Sequence, residues 1–322
     1  MRSHFLISAG QSRRLGRLFL LRILSILVLA LGAGLLLGAP RFSEWSPPVN
    51  LGPLVNTRFN EAGPALSKDG LSLYFQSNRM PGGYGGNDIW VSQRASRENA
   101  WGDPVNLGPT INTAANEDAP AFSRDGHTMF FNSDRLGSLG MRDIYIARRT
   151  HTDDDFGWEE PVNAGPVNSA AMDAGPSYLE NEEAGTPLLY FGSTRLGGVY
   201  DIYVSAQAAD GSWGPAVLVP ELSSPQSDQR PSVRFDGLEM FLHSDRPVSF
   251  GLADLWVSTR ETTLDPWSAP VNLGATVNSQ SVDQQPFIAS DRETLFFASD
   301  RSPGGLGNLD IYMTTREKSP HD

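Results

Sequence analysis

The chain has 322 residues and no cysteine, with 39% hydrophobic and 19% charged residues and a formal charge of -12. The missing thiol excludes disulfide frameworks, thiolate zinc sites, thiol nucleophiles and lipid attachment through an N-terminal cysteine. The acidity excludes nucleic acid as a partner, because a body of that sign repels a phosphate backbone.

Residues 1–40 carry Arg2, Arg13, Arg14, Arg17 and Arg22 and no carboxylate, so the rest is more acidic than the whole. The arginines precede an apolar run from Ile23 to Leu37. A basic flank and a run of roughly 15 apolar residues predict an export signal; uncleaved, the same segment is an N-terminal anchor. In both cases residues 41–322 are exported, periplasmic or extracellular, with membrane contact only through that segment if it stays uncleaved.

From residue 45 onward one unit repeats at about 55 residues. Pro64, Pro120, Pro176, Pro231 and Pro286 are each preceded at three residues by a carboxylate: Glu61, Glu117, Asp173, Asp228 and Asp283. Arg79, Arg135, Arg195, Arg246 and Arg301 follow apolar runs. An Asp then opens each next run, at Asp88, Asp143, Asp201, Asp254 and Asp310, followed by Ile or Leu and an aromatic residue. Trp45, Trp101, Trp158, Trp213 and Trp267 form a further series. Runs such as Leu73-Tyr74-Phe75, apolar on both faces, predict strands covered on both sides, and Asp-Gly at 69–70, 125–126 and 236–237 predicts tight turns between them.

The fold expected is all-β: a single five-bladed β-propeller over residues 41–322, with blades near 58–107, 114–164, 170–219, 225–273 and 280–316. The tryptophan segment follows the other strands in four copies, and no sixth follows Tyr312. Residues 45–51 supply the missing copy, so this N-terminal strand is predicted to complete the last blade and close the ring.

The pattern Pro64-Ala-Leu-Ser-Lys-Asp-Gly-Leu-Ser-Leu-Tyr-Phe75, then Ser-Asn-Arg, then Asp-Ile-Trp, resembles the WD40-like β-propeller repeat of the TolB type. The resemblance spans roughly residues 45–316 and implies a propeller; it carries no activity with it, since propellers host binding proteins and enzymes alike.

Comparison of the copies separates scaffold from site. The five arginines and the five Asp residues at 88, 143, 201, 254 and 310 recur in every blade and are expected to pair across a loop. Glu61, Glu117, Asp173, Asp228 and Asp283 form an acidic ring near the channel. They either bond backbone amides or the arginines, or hold a cation or basic peptide. One residue differs per blade just before the shared serine: Gln76, Asn132, Gly192, His243 and Ala298. Gln76, Asn132 and His243, with Tyr84, Tyr200 and Phe250 on loops of varying length, are the predicted ligand lining. No phosphate loop, His-Glu-x-x-His or Gly-x-Ser-x-Gly is present, and no metal or cofactor is expected.

Two functions follow. The first is a monomeric, non-enzymatic exported propeller that binds an envelope protein or glycan through the variable-loop face. The second is a carbohydrate-active, glycosidase-like enzyme using carboxylates around the channel, with Glu61, Glu117 and Asp173 as candidates. Retaining chemistry would need two carboxyls roughly 5 Å apart, inverting chemistry roughly 6.5 to 9.5 Å.

Overall fold

The computed structural model describes residues 42–319 apart from 182 and 184; the signal or anchor expected in residues 1–40 lies outside the described residues. Strand β1 (Val49–Asn50) comes first. Blade 1 then holds β2 (Glu61–Leu66), β3 (Ser72–Ser77), β4 (Asp88–Gln93) and β5 (Val105–Asn106), and blade 2 holds β6 (Glu117–Phe122), β7 (Thr128–Ser133), β8 (Asp143–Arg148) and β9 (Val162–Asn163). Blade 3 holds β10 (Asp173–Leu179), β11 (Leu188–Ser193), β12 (Asp201–Ala206) and β13 (Val217–Leu218). Blade 4 holds β14 (Asp228–Val233), β15 (Glu239–Ser244), β16 (Asp254–Thr259) and β17 (Val271–Asn272), and blade 5 holds β18 (Asp283–Ile288), β19 (Thr294–Ser299) and β20 (Asp310–Thr315).

Each blade is a four-stranded antiparallel sheet, and the fifth is completed by β1 beside β20. The inner strands β2, β6, β10, β14 and β18 touch in turn, and β18 returns to β2, which makes the closed five-bladed propeller of residues Glu44–Glu317. The second strands are apolar on both faces because each is covered on both sides. One core cluster packs Tyr74 and Ile89 of blade 1 against Met129 and Phe131 of blade 2, and four more clusters repeat this around the ring.

Closure is non-covalent, and it pairs Val49 with Met313 and Asn50 with Tyr312. The Ser46 and Leu51 amides extend the pairing by donating to the Thr315 and Ile311 carbonyls at 2.7 and 3.1 Å. Trp45 lies under the Arg316 guanidinium at 4.5 Å, a contact of a kind repeated by Arg94 on Trp101, Arg149 on Trp158 and Arg260 on Trp267.

A second repeated feature sets up the site. Every inner strand slips register just before its proline, between residues 62 and 65 in blade 1 and at the equivalent places in the others. The bulged residues are Gly63, Ala119, Gly175, Arg230 and Gln285, all at positive φ between 52° and 68°. Glycine takes this conformation freely, whereas any other residue there is strained. The bulge reverses the alternation of facing, so residues beyond the proline line the axis.

Candidate active site in the axial funnel

The propeller has a loop end, where the 80–87 class of loops and the acidic ring lie, and a turn end, where the tight turns lie. At the loop end the acidic ring is fully buried and its oxygens are occupied. Glu61 accepts from the Thr57 amide and hydroxyl at 2.7 and 2.8 Å and from the Ser77 hydroxyl at 2.8 Å, with Arg79 at 3.2 Å. Glu117 repeats the set with Thr113, Ser133 and Arg135. Asp173 pairs with Ser169 and with Arg195 at 2.5 Å, Asp228 with Ser224 and Arg246, and Asp283 with Ser279 and Arg301. Each arginine also donates to a backbone carbonyl, as Arg79 does to Val55 at 2.6 Å.

The expected partners are therefore exchanged. The arginines reach back to the ring acids of their own blades rather than across to Asp88, Asp143, Asp201, Asp254 and Asp310. Those Asp residues fold the loops instead: Asp88 accepts from the Tyr84 amide at 2.6 Å and from Asn106 at 2.9 Å. Asp143, Asp254 and Asp310 do the same with Leu139 and Asn163, Phe250 and Asn272, and Leu306 and Asn50. In blade 3 Leu218 replaces that asparagine, and burial raises the Asp201 carboxyl above its ordinary range.

Three of the five residues that differ between blades are latches. Gln76 Oε1 accepts from the Ala119 amide at 3.1 Å, Asn132 Oδ1 from Gly175 at 2.9 Å and His243 Nδ1 from Gln285 at 3.3 Å. Each is buried and ties one blade to the bulge of the next, so none of the three opens to a loop-end pocket. Burial first, and then the charge of Arg230, hold His243 down to about 3; it is neutral at ordinary pH. Tyr84 and Phe250 stand half exposed on their loops, and Met80, Leu139, Met141, Val248 and Leu252 of the same class of loops are exposed too. Tyr200 donates to Met172 Sδ at 3.2 Å, and Gly192 leaves room for its ring, whose Cδ1 lies 3.2 Å from where a Cβ would be. Beneath it Asp118 is held by Arg142 at 3.0 Å and by Asn87 at 2.8 Å, a polar cluster over the axis.

The cavity opens at the turn end. A funnel of about 120 Å³ is lined by the inner strands from the bulges to the turns. Its mouth carries the residues four beyond each proline: Lys68, Arg124, Glu180, Phe235 and Ser290. Arg124 lies 3.8 Å from Glu180 and stacks over Phe235 at 4.6 Å, which fixes three of the five blades to one another across the opening. The walls hold Phe122, stacked on Trp158, and Tyr178, stacked on Phe130. Burial, with Glu180 and Asp125 nearby, pushes the Tyr178 phenol up to about 12, so it stays a hydrogen-bond donor. Arg230 and Gln285 lie at the inner end, and Glu180 is the one carboxylate among the lining residues.

Sequence reasoning missed this lining although the signal was present. Lys, Arg, Glu, Phe and Ser at one repeat position, and Gly, Ala, Gly, Arg and Gln at another, vary between blades just as the expected lining on the adjacent strand does.

No family model and no curated protein matches the chain. Among solved structures it is similar to a thermostable family-43 glycoside hydrolase, at 14% identity and a TM-score of 0.56 over 84% of this chain and 92% of that one. It is also similar to an α-L-arabinofuranosidase from Podospora anserina, at 11% identity and 0.55 over 87% and 98%. These likenesses establish the propeller fold. A TolB protein from Agrobacterium tumefaciens is similar at 16% identity and 0.45 over 82% and 78%, too distant to extend the TolB-type resemblance beyond the repeat pattern. The expectation of a non-enzymatic envelope binder is corrected here. Glycoside hydrolases recur among the similar solved structures, and the funnel lies at the end opposite the variable loops on which that expectation rested.

Proposed function

We propose that this chain is a carbohydrate-active, glycosidase-like enzyme that takes the terminal residue of a glycan into the axial funnel from the turn end. The observation that carries the reading is the lining. Phe122, Tyr178 and Phe235 line it with aromatic rings for the apolar side of a sugar. Ser177 and Ser232, whose oxygens accept the Val233 and Ile288 amides, keep their hydroxyl protons for its oxygens, while Ser67, Ser123 and Ser290 already donate to Asp69, Asp125 and the Lys68 carbonyl. The space holds about ten waters, which one sugar ring and its hydroxyls would displace. The likeness to glycoside hydrolases supports the same class.

Glu180, with its side chain 41% exposed at the mouth, sits where the bond to the next sugar would leave the funnel. It is assigned as the general acid that protonates the leaving oxygen while water adds at the anomeric carbon and loses its own proton to bulk water, so one carboxylate serves in place of the pair expected from the sequence. Such a role contributes roughly 10²- to 10⁴-fold. The acidic ring takes no part, because its oxygens are already held by amides, hydroxyls and arginine. The exported location expected from residues 1–40 would direct the activity to envelope or extracellular glycans.

The test is release of terminal sugars from a panel of oligosaccharides, read by mass spectrometry. The wild type should release a monosaccharide, Glu180→Gln should lose at least roughly a hundredfold of the rate, and Phe250→Ala at the loop end should match wild type. Release by Glu180→Gln at the wild-type rate, or no release from any oligosaccharide, would overturn the reading.

A further inference from the structure

The inner end of the funnel is built at a cost that the scaffold does not require. Five equivalent bulge positions share one left-handed conformation, and two of them carry glycine, the residue that fits without strain. Blade 4 carries Arg230 there at φ 52°, and blade 5 carries Gln285 at φ 57°. A large side chain held in strained backbone at the end of a cavity marks a position kept for its side chain. Arg230 Nη1 is buried and makes no hydrogen bond, and neither does Gln285 Oε1. The arginine stem lies directly over Gly175, where a Cβ would come within 2.5 Å of Arg230 Cδ, so a glycine on the neighbouring blade makes its room. Asp118, the nearest buried acid that acts on it, is already bound to Arg142 at 3.0 Å. Burial draws the Arg230 guanidinium down to about 10, which leaves it charged at neutral pH.

The funnel as a whole has the sign opposite to the chain. Lys68, Arg124 and Arg230 line it against the single carboxylate Glu180, in a protein of net charge -12. A neutral sugar has no use for a partly buried guanidinium that makes no hydrogen bond, whereas a carboxylate at the inner end would satisfy it with a charge-assisted bond. We infer that the funnel selects an acidic sugar, a terminal uronic acid, whose carboxylate is bound by the guanidinium of Arg230. This rests on the reading of the funnel as a glycan site. It places the C6 carboxylate at the inner end, the ring against Phe122 and Tyr178, and the glycosidic oxygen at the mouth beside Glu180. Arg230 is thereby a specificity-determining residue.

The test compares methyl glucuronide with methyl glucoside by calorimetric titration of the full chain and of Arg230→Gly, with acetate as a sugar-free anion. Glycine at 230 copies blades 1 and 3, so the variant should fold with a Tm no lower than wild type. The wild type should bind the glucuronide at least tenfold more tightly than the glucoside, and Arg230→Gly should bind both equally. Equal binding of the two sugars by the wild type, or a preference that survives in Arg230→Gly, would overturn the acidic-sugar inference while leaving the glycan site standing. Binding of acetate alone, lost in Arg230→Gly, would overturn both the acidic-sugar inference and the glycan reading and leave a simple anion site. No binding of any probe would overturn both.

Discussion

His243 shows how a repeat position can vary without facing a ligand. Its Nδ1 accepts the Gln285 amide in the way that Gln76 and Asn132 accept theirs, and burial keeps the ring neutral down to about pH 3. In the unfolded chain the ring takes up a proton near its ordinary value of about 6.5. Its folded pKa is depressed, so as pH falls from 6.5 toward 3 only the unfolded state binds the proton and stability is lost. The loss approaches about 1.4 kcal/mol per pH unit over that window. His243→Gln, which copies the blade 1 latch, should remove this acid limb; denaturant midpoints at pH 7 and pH 4.5 should differ less for the variant than for wild type. The ring acids make the complementary case. Asp283→Ala leaves the partly buried Arg301, its side chain 17% exposed, without its carboxylate, and a cost toward the low end of about 3–5 kcal/mol is expected in equilibrium unfolding.

At the scale of the strand, the bulge decides both strain and facing. Arg230 and Gln285 occupy backbone that glycine occupies in blades 1 and 3, and Gln285→Gly should raise stability by about 1 kcal/mol, read as a higher Tm. The same bulge explains which part of the site was legible in the sequence. Strand positions such as Leu73 and Phe75 follow simple periodicity and could be placed directly. Beyond the bulge the period-two alternation is broken, so the repeat places Lys68, Arg124, Glu180, Phe235 and Ser290 at one level of the ring but simple periodicity does not say that they face the axis. The arginine partners were unreadable for a related reason. Arg79 curls back to Glu61 in its own blade, 18 positions earlier, while the nearer Asp88 is taken by the loop it terminates.

The propeller unit, residues Glu44–Glu317, is a ring closed by its first and last strands. The repeat phase predicted that residues 45–51 finish the last blade, and β1 does so beside β20, since five tryptophan segments and five sets of inner strands can be matched only in that way. Trp45 lies against Phe241 at 6.0 Å and under Arg316, so it fastens the closing strand to blade 4 as well as to blade 5. Trp45→Ala should cost up to about 3 kcal/mol and expose β20 as a sheet edge, which light scattering would register as association near the transition temperature. The ring leaves two unlike ends: one carries apolar loops over a polar cluster and saturated acids, the other a funnel with one carboxylate and three cations.

Hydrogen exchange with and without an oligosaccharide that the protein cleaves distinguishes these ends in one experiment. Occupation of the funnel predicts slowed exchange at the turns near residues 67–70, 123–126 and 234–237, with the loops at 80–87, 136–142 and 247–253 unchanged. Protection of those loops, with the turns unaffected, would contradict it and return the binding site to the loop end.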